Sequence, residues 1–193
     1  MQFTPGDLVF TQDNNKPLEE LLKEYEYFGD SSNATVWTEK VIDVYIDTSK
    51  PLTIMEIGTG IGSSAEWISR NICKHPDSII HTAGIDTKPG IDDYAAKRLK
   101  NLPNVQYYNQ YGISVMKDLN IEYDLVYVDG THRYLSVLND AKFALKYLKD
   151  NGIIIFDDCN DGWPEVMEAV NDFLNLNNLK LERLSEQQVL VKK

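Results

Sequence analysis

Two rhythms of apolar and polar positions run along this chain. Pro17 followed by LEELLKEYEYF sets Leu18, Leu21, Leu22 and Tyr25 at helical spacing, with proline at the first turn and Gly29 just past the end. DSSN at 30–33 offers caps for a second helix in which Trp37, Val41, Val44 and Tyr45 share a face, ending at the Thr-Ser-Lys-Pro turn before Leu52. Beyond that turn, continuous apolar runs alternate with helical periods. The runs are LTIMEIG, IIHTAGID, VQYYN, YDLVYVD and GIIIFDD. The helices are SSAEWISRNI, DDYAAKRLKNL, GISVMKDL, LSVLNDAKFALKYLKD and PEVMEAVNDFLNL, and LKLERLSEQQVLVKK closes the chain as two short strands around a SEQQ turn.

Apolar strands separated by helices are buried on both sides, so they predict a parallel sheet covered on both faces. The last two strands lie too close together for a crossover and must be antiparallel. The expected fold is therefore α/β, with a seven-stranded, mostly parallel sheet and an antiparallel C-terminal hairpin. A chain of 193 residues suits one domain over 1–193, with residues 1–33 as an appended helical cap.

Charge narrows the partners. The net charge of -11 argues against holding nucleic acid, which needs clustered Lys and Arg to neutralise phosphates, and favours a small molecule. Residues 1–50 hold ten Asp or Glu against four Lys, a solvated face that aids solubility. Cys73 and Cys159 form no CxxC pattern, MQFTPGDLVF lacks the regions of a signal peptide, and no stretch is long and apolar enough for a bilayer. A cytoplasmic protein with no membrane partner is the expectation, and a homo-oligomer stays open.

In open α/β sheets ligands sit beyond the carboxyl ends of the strands, so the residues where strands stop carry the chemistry. The first stop is MEIGTGIGSS, where Gly58, Gly60 and Gly62 allow a tight turn and the next helix offers free N–H groups. Turn-forming glycine alone also explains such a loop. A dinucleotide loop would carry a third glycine where Ser63 stands, which disfavours NAD. Asp86, 24 residues after Gly62, ends the second strand where a carboxylate can accept from both hydroxyls of a ribose, or cap the turn before Pro89.

Glu56 just before the loop suits a cation better than a pyrophosphate. With EIGTGIG, Asp86 and an antiparallel seventh strand, residues from about 35 to 193 resemble the class I S-adenosylmethionine-dependent methyltransferases, whose Rossmann-like sandwich the fold then matches. The resemblance implies that Glu56, Gly58, Thr59, Gly60, Gly62 and Ser63 hold the amino-acid end of S-adenosylmethionine, with Asp129 beside it. It further implies Asp86 on the ribose and the NQYG stretch on the adenine. Tyr111 stands where the family often has an acid, so that contact falls to Tyr111 stacking or Gln110 hydrogen bonding.

Asp129 ends the fourth strand, while Asp157 and Asp158 end the fifth, and adjacent parallel strands would bring all three to one rim. Ionising all three there costs stability unless a cation sits among them; Mg2+ or another divalent ion, with its preference for oxygen ligands, resolves this. The alternative is that the acids diverge and cap the next helices. VYVDGTHRY followed by IIIFDD resembles the metal-dependent O-methyltransferases, in particular the macrocin O-methyltransferase and cephalosporin hydroxylase-like group. His132 stands where catechol-type relatives carry a lysine base, and an imidazole can take a hydroxyl proton near neutrality; it could instead orient the loop. Trp163, Pro164 and Tyr134 are candidate pocket walls, Tyr27, Phe28 and Trp37 could close over the cofactor, and Asp140 reads as a helix-surface or loop-anchoring residue.

The function so implied is methyl transfer from S-adenosylmethionine to a hydroxyl of a small molecule, a sugar or polyol first, assisted by a divalent ion. A metal-independent methyltransferase and a non-catalytic S-adenosylmethionine-binding protein are the alternatives.

Overall fold

The computed structural model describes residue 22 and residues 27–193, so the helix expected after Pro17 lies almost wholly outside it. A 3-10 turn at Phe28–Asp30 leads into α1 (Ser32–Lys40), whose N-cap Ser31 accepts from the Ala34 N–H at 3.4 Å. This helix stops earlier than its pattern suggests. Beyond Lys40 the chain doubles back through Asp43, at φ 64°, and Ile42 bridges Ile46, which is thereby buried. Trp37 and Val41 enter the core as expected, but Val44 is 62% exposed and leaves their face.

The remaining elements alternate as the pattern predicts: β1 (Thr53–Ile57), α2 (Ser63–Asn71), β2 (Ile79–Ala83), α3 (Ile91–Leu99), β3 (Val105–Tyr108), α4 (Gly112–Leu119) and β4 (Tyr123–Val128). Then come α5 (Tyr134–Lys146), β5 (Leu148–Phe156), α6 (Pro164–Asn177), β6 (Leu181–Arg183) and β7 (Val189–Lys192). The seven strands form one sheet in the order β3-β2-β1-β4-β5-β7-β6. All pairings are parallel except those of β7, which runs antiparallel to both β5 and β6. β5 begins four residues ahead of the GIIIFDD run, with a register irregularity opposite Tyr123 and Asn151 at φ 65°.

Burial on both faces explains the unbroken apolar runs. Met55, Val126, Val128, Ile154 and Phe156 lie under residues of α4, α5 and α6. Ile54, Leu125, Ile153 and Ile155 lie under α1, α2 and α3. Each such side chain contributes about 1.5–3 kcal/mol of burial. On the second face Glu56, Thr82, Tyr127 and Gln188 are fully buried, and they cluster toward the carboxyl ends of the central strands. Strand order reverses between β1 and β4, which opens a crevice at those ends.

Candidate active site

The loop after β1 is built into its neighbour. Gly58 adopts φ 104°, and a Cβ there would stand 1.9 Å from the Asp129 carbonyl oxygen; the Asp129 N–H donates to the Ile57 carbonyl at 2.8 Å. Only glycine allows this approach. Gly60 and Gly62 are also left-handed, and space above Gly60 is open. Behind the loop, Glu56 accepts from the Ser64 hydroxyl at 2.5 Å and from the Thr82 hydroxyl, which in turn accepts from Thr59 at 2.8 Å. Burial pushes the Glu56 carboxyl up to about 7, against the opposing effect of the two hydroxyls. Ser63 accepts from the Phe28 N–H at 2.6 Å and so ties the segment before α1 to the head of α2.

Toward the sheet edge, one Asp86 oxygen accepts from the Lys88 N–H at 2.8 Å, closing the turn before Pro89, and the side chain stays half-exposed. Gln110 and Tyr111 are exposed just ahead of α4, Tyr111 at 56%. Ile85, 47% exposed beyond β2, adds an apolar surface at that end that its neighbour Asp86 had overshadowed in the sequence.

At the β4 and β5 ends the acids divide. Ligand atoms of Asp129, His132 and Asp158 all lie within 4.8 Å of one another. Asp157 is not in that group: it turns inward, accepting from the Tyr127 hydroxyl and from Asn33 Nδ2 at 3.4 Å. The reason is geometric. Asp157 continues the strand alternation toward the α1 face, while Asp158 sits at φ 52°, a left-handed conformation that swings its carboxylate toward His132. Burial, then the charges of Asp157, Asp158 and Glu56, hold the Asp129 carboxyl well above the ordinary range; burial also raises Asp157, opposed by its Tyr127 hydrogen bond.

His132 Nε2 stands 2.8 Å from Asp158 Oδ2, yet it is buried and makes no directed hydrogen bond, because the approach is off the ring's N–H axis. The ring stacks on Trp163 with centroids 4.0 Å apart and planes at 23°. Glu165, in the first turn of α6, holds the loop from outside by accepting from Tyr134 N–H at 3.0 Å and Arg133 Nη1 at 3.1 Å. Trp163 is thus a wall of the site. Tyr134 is directed elsewhere, donating to Asp172 at 2.7 Å. A small concavity is lined by Asp129, Thr131, His132 and Asp157, with Val137 and Val166 among its apolar walls.

Several residues escaped the sequence pattern. Asn33, read as a cap, is 8% exposed beside Asp157; Gln188, read as a turn residue, is fully buried. Trp37 Nε1 donates to Gln188 Oε1 at 2.8 Å, and Gln188 Nε2 donates to the Tyr127 hydroxyl at 3.4 Å, so a buried polar chain runs from α1 to Asp157. Phe28 and Trp37 pack in an aromatic cluster with Trp67 and Tyr127. Asp140 is buried, not on the helix surface, and burial pushes its carboxyl up to about 7.

An open, mostly parallel sheet with an antiparallel last strand, a glycine loop after β1 and acids closing β2, β4 and β5 has the architecture of the class I methyltransferases. A family model described as a methyltransferase domain matches residues 55–159, from β1 to just past the acid pair, and the chain belongs to that family. An uncharacterized protein of Acanthamoeba polyphaga mimivirus is 32% identical over 133 residues, covering 62% of this chain and 58% of the relative, so the chain spans less than two thirds of that protein. An O-methyltransferase from Bacillus cereus, solved with SAH, superposes with a TM-score of 0.67 at 16% identity over 97% of this chain and 94% of its own. The TDP-rhamnose 3'-O-methyltransferase of calicheamicin biosynthesis gives 0.64 at 19% identity, over 91% and 86%. At these identities the likeness is one of fold. No helix among the described residues is long and apolar enough to cross a membrane.

Proposed function

We propose that this protein transfers a methyl group from S-adenosylmethionine to a hydroxyl oxygen of a small molecule, with a sugar or polyol as the first acceptor class. The carrying observation is the meeting of Asp129, His132 and Asp158 beside the glycine loop. Family membership and the SAH-bound and sugar-methylating fold relatives support the cofactor and acceptor class. The net charge of -11 and two unpaired, buried cysteines support a small-molecule partner and a reducing, cytoplasmic setting.

In the reaction the sulfonium C–S bond breaks, the hydroxyl oxygen gains the methyl group, and its proton leaves. Products are S-adenosylhomocysteine and a methyl ether. Gly58, Thr59, Gly60, Gly62 and Ser63 frame the amino-acid end, Asp86 offers its carboxylate to the ribose, and Ile85, Gln110 and Tyr111 flank the adenine. Glu56 supports the loop from behind through Ser64 and Thr82. His132 takes the hydroxyl proton, the Asp158 carboxylate 2.8 Å away stabilises the imidazolium that results, and Trp163 holds the ring plane. The protein contributes mainly orientation and electrostatics, since the cofactor carries the reactive carbon.

The residues fit a divalent ion. A buried nitrogen 2.8 Å from a carboxylate oxygen but off the ring's N–H axis is poorly satisfied by that contact, and a cation beside both atoms would satisfy it. Asp129 and Asp158 would hold the ion, which would supply the positive charge that lowers the pKa of the acceptor hydroxyl. The same orphaned Nε2 supports a second reading, in which His132 is itself a ligand. Thermal melting tests both: S-adenosylmethionine but not NAD stabilises the protein, and Mn2+ adds a further shift. If His132→Gln keeps the Mn2+ shift and loses methyl transfer, His132 is the base; if it loses the shift, His132 is a ligand. Failure of Asp158→Ala to affect either ion binding or transfer would refute the metal.

A further inference from the structure

Asn33 is the residue whose chemistry the proposed reaction leaves unexplained. It is 8% exposed, and its Nδ2 donates to Asp157 Oδ2 at 3.4 Å. That contact fixes the amide, because the reverse orientation would press a carbonyl oxygen against a carboxylate. Its Oδ1 is then buried and has no partner. Buried acceptors are rarely left unmet in native proteins, and this one, beside Asp157 at the end of β5, marks a place for a donor.

The fold says which donor. The Phe28 N–H bonds Ser63 Oγ at 2.6 Å, directly after the glycine loop, while Asn33 reaches the end of β5. The start of α1 therefore lies beside the loop on its β4/β5 side. Asp86 lies across β1, beyond β2, so a cofactor whose ribose is anchored there sends its amino-acid end toward α1. Glu56 is not placed to receive an ammonium: it is fully buried, with one hydroxyl donor, from Ser64 or Thr82, on each oxygen. An ammonium carries three donors and needs acceptors elsewhere.

We infer that Asn33 Oδ1 accepts a hydrogen bond from the ammonium of the cofactor's amino-acid end, which makes α1 part of the cofactor site. This rests on the S-adenosylmethionine reading above. The buried chain from Trp37 through Gln188 and Tyr127 to Asp157 is what seats α1, and with it Asn33, against the strand ends.

Calorimetric titration of the full chain with S-adenosylhomocysteine tests it, using Asn33→Leu and the smaller Asn33→Ala. Both variants bind S-adenosylhomocysteine about ten-fold more weakly than wild type, the effect of losing a hydrogen bond to a charged group. Both bind 5'-methylthioadenosine, which lacks the amino-acid end, as wild type does. The melting temperature of unliganded Asn33→Leu falls only slightly, since loss of the long 3.4 Å bond to Asp157 is offset by removal of an unmet buried acceptor. Unchanged affinity for S-adenosylhomocysteine, or an equal loss for both ligands with a much lower melting temperature, overturns the inference while leaving the cofactor reading intact. If wild type itself ignores S-adenosylhomocysteine, the cofactor reading falls and this inference falls with it.

Discussion

The floor of the glycine loop and the rim of β4 and β5 both gather carboxylates, and the polar groups around them differ. Glu56 on the floor has each oxygen met by a hydroxyl. At the rim the unmet groups collect. Among the described residues four buried side-chain polar atoms lack a partner, and three of them, Asn33 Oδ1, Thr131 Oγ1 and His132 Nε2, belong to residues at or beside the rim. The fourth, the Tyr123 hydroxyl, lies at the start of β4, the other end of that strand. Satisfied polar groups build the protein, whereas unsatisfied ones gathered at one end of a sheet show where it expects something else.

Asp129→Asn probes that contrast most severely. Removing the charge from the centre of the rim should cut methyl transfer about a thousand-fold, the scale of losing a transition-state electrostatic contact. It should also abolish the Mn2+ melting shift while raising the melting temperature of the unliganded protein, because Asp157, Asp158 and Glu56 then lose a repelling neighbour. A variant that melts lower and still responds to Mn2+ would make the rim structural, like the floor. Gly58→Ala comes next, costing about 3 kcal/mol in denaturant melts, since the φ of 104° is strained for alanine and its Cβ would strike the Asp129 carbonyl.

The same contrast separates what could be read in the sequence from what could not. Strand ends were legible because apolar runs stop abruptly at Glu56-Ile57-Gly58, Asp129 and Asp157, and the mostly parallel sheet follows from alternation with helices. Which acid turns which way was not, because it depends on one backbone torsion: φ 52° at Asp158 sends its carboxylate to His132 and leaves Asp157 to Tyr127. Asn33 and Gln188 were illegible for another reason. Both sit in polar clusters, DSSN and SEQQ, that local rules assign to caps and turns, and only the packing of α1 on the sheet and the pairing of β7 with β5 bury them. The end of α1 was missed because burial of Ile46 pulls the chain back after Lys40, against the helical spacing of Val44 and Tyr45.

Glu56→Gln tests the floor through pH. The folded carboxyl titrates at about 7 against 4.5 when unfolded, so between those values the folded state holds a proton that the unfolded state has released. Stability from this group is therefore greatest at low pH and is lost as pH rises from 4.5 to 7, by about 3 kcal/mol. Denaturant melts at pH 5 and pH 8 should show that the glutamine variant loses less stability than wild type over the interval. An identical loss in both would mean that Glu56 is ionised throughout and that its two hydroxyl donors outweigh its burial.

Tyr127→Phe makes the smallest change, and it asks where the rim ends. The tyrosine hydroxyl donates to Asp157 and accepts from Gln188, so its removal leaves one donor of a buried amide unpaired and weakens the support of Asp157, costing about 1 kcal/mol. Asp157 stands outside the group formed by Asp129, His132 and Asp158, so the melting temperature should fall while the Mn2+ shift keeps its size. The two readouts decide to which region Asp157 belongs. A lower melting temperature with the full ion response puts it with Glu56, an acid whose partners are protein. Loss of the ion response would put Asp157 inside the ion site and move the boundary between the two regions inward to Tyr127.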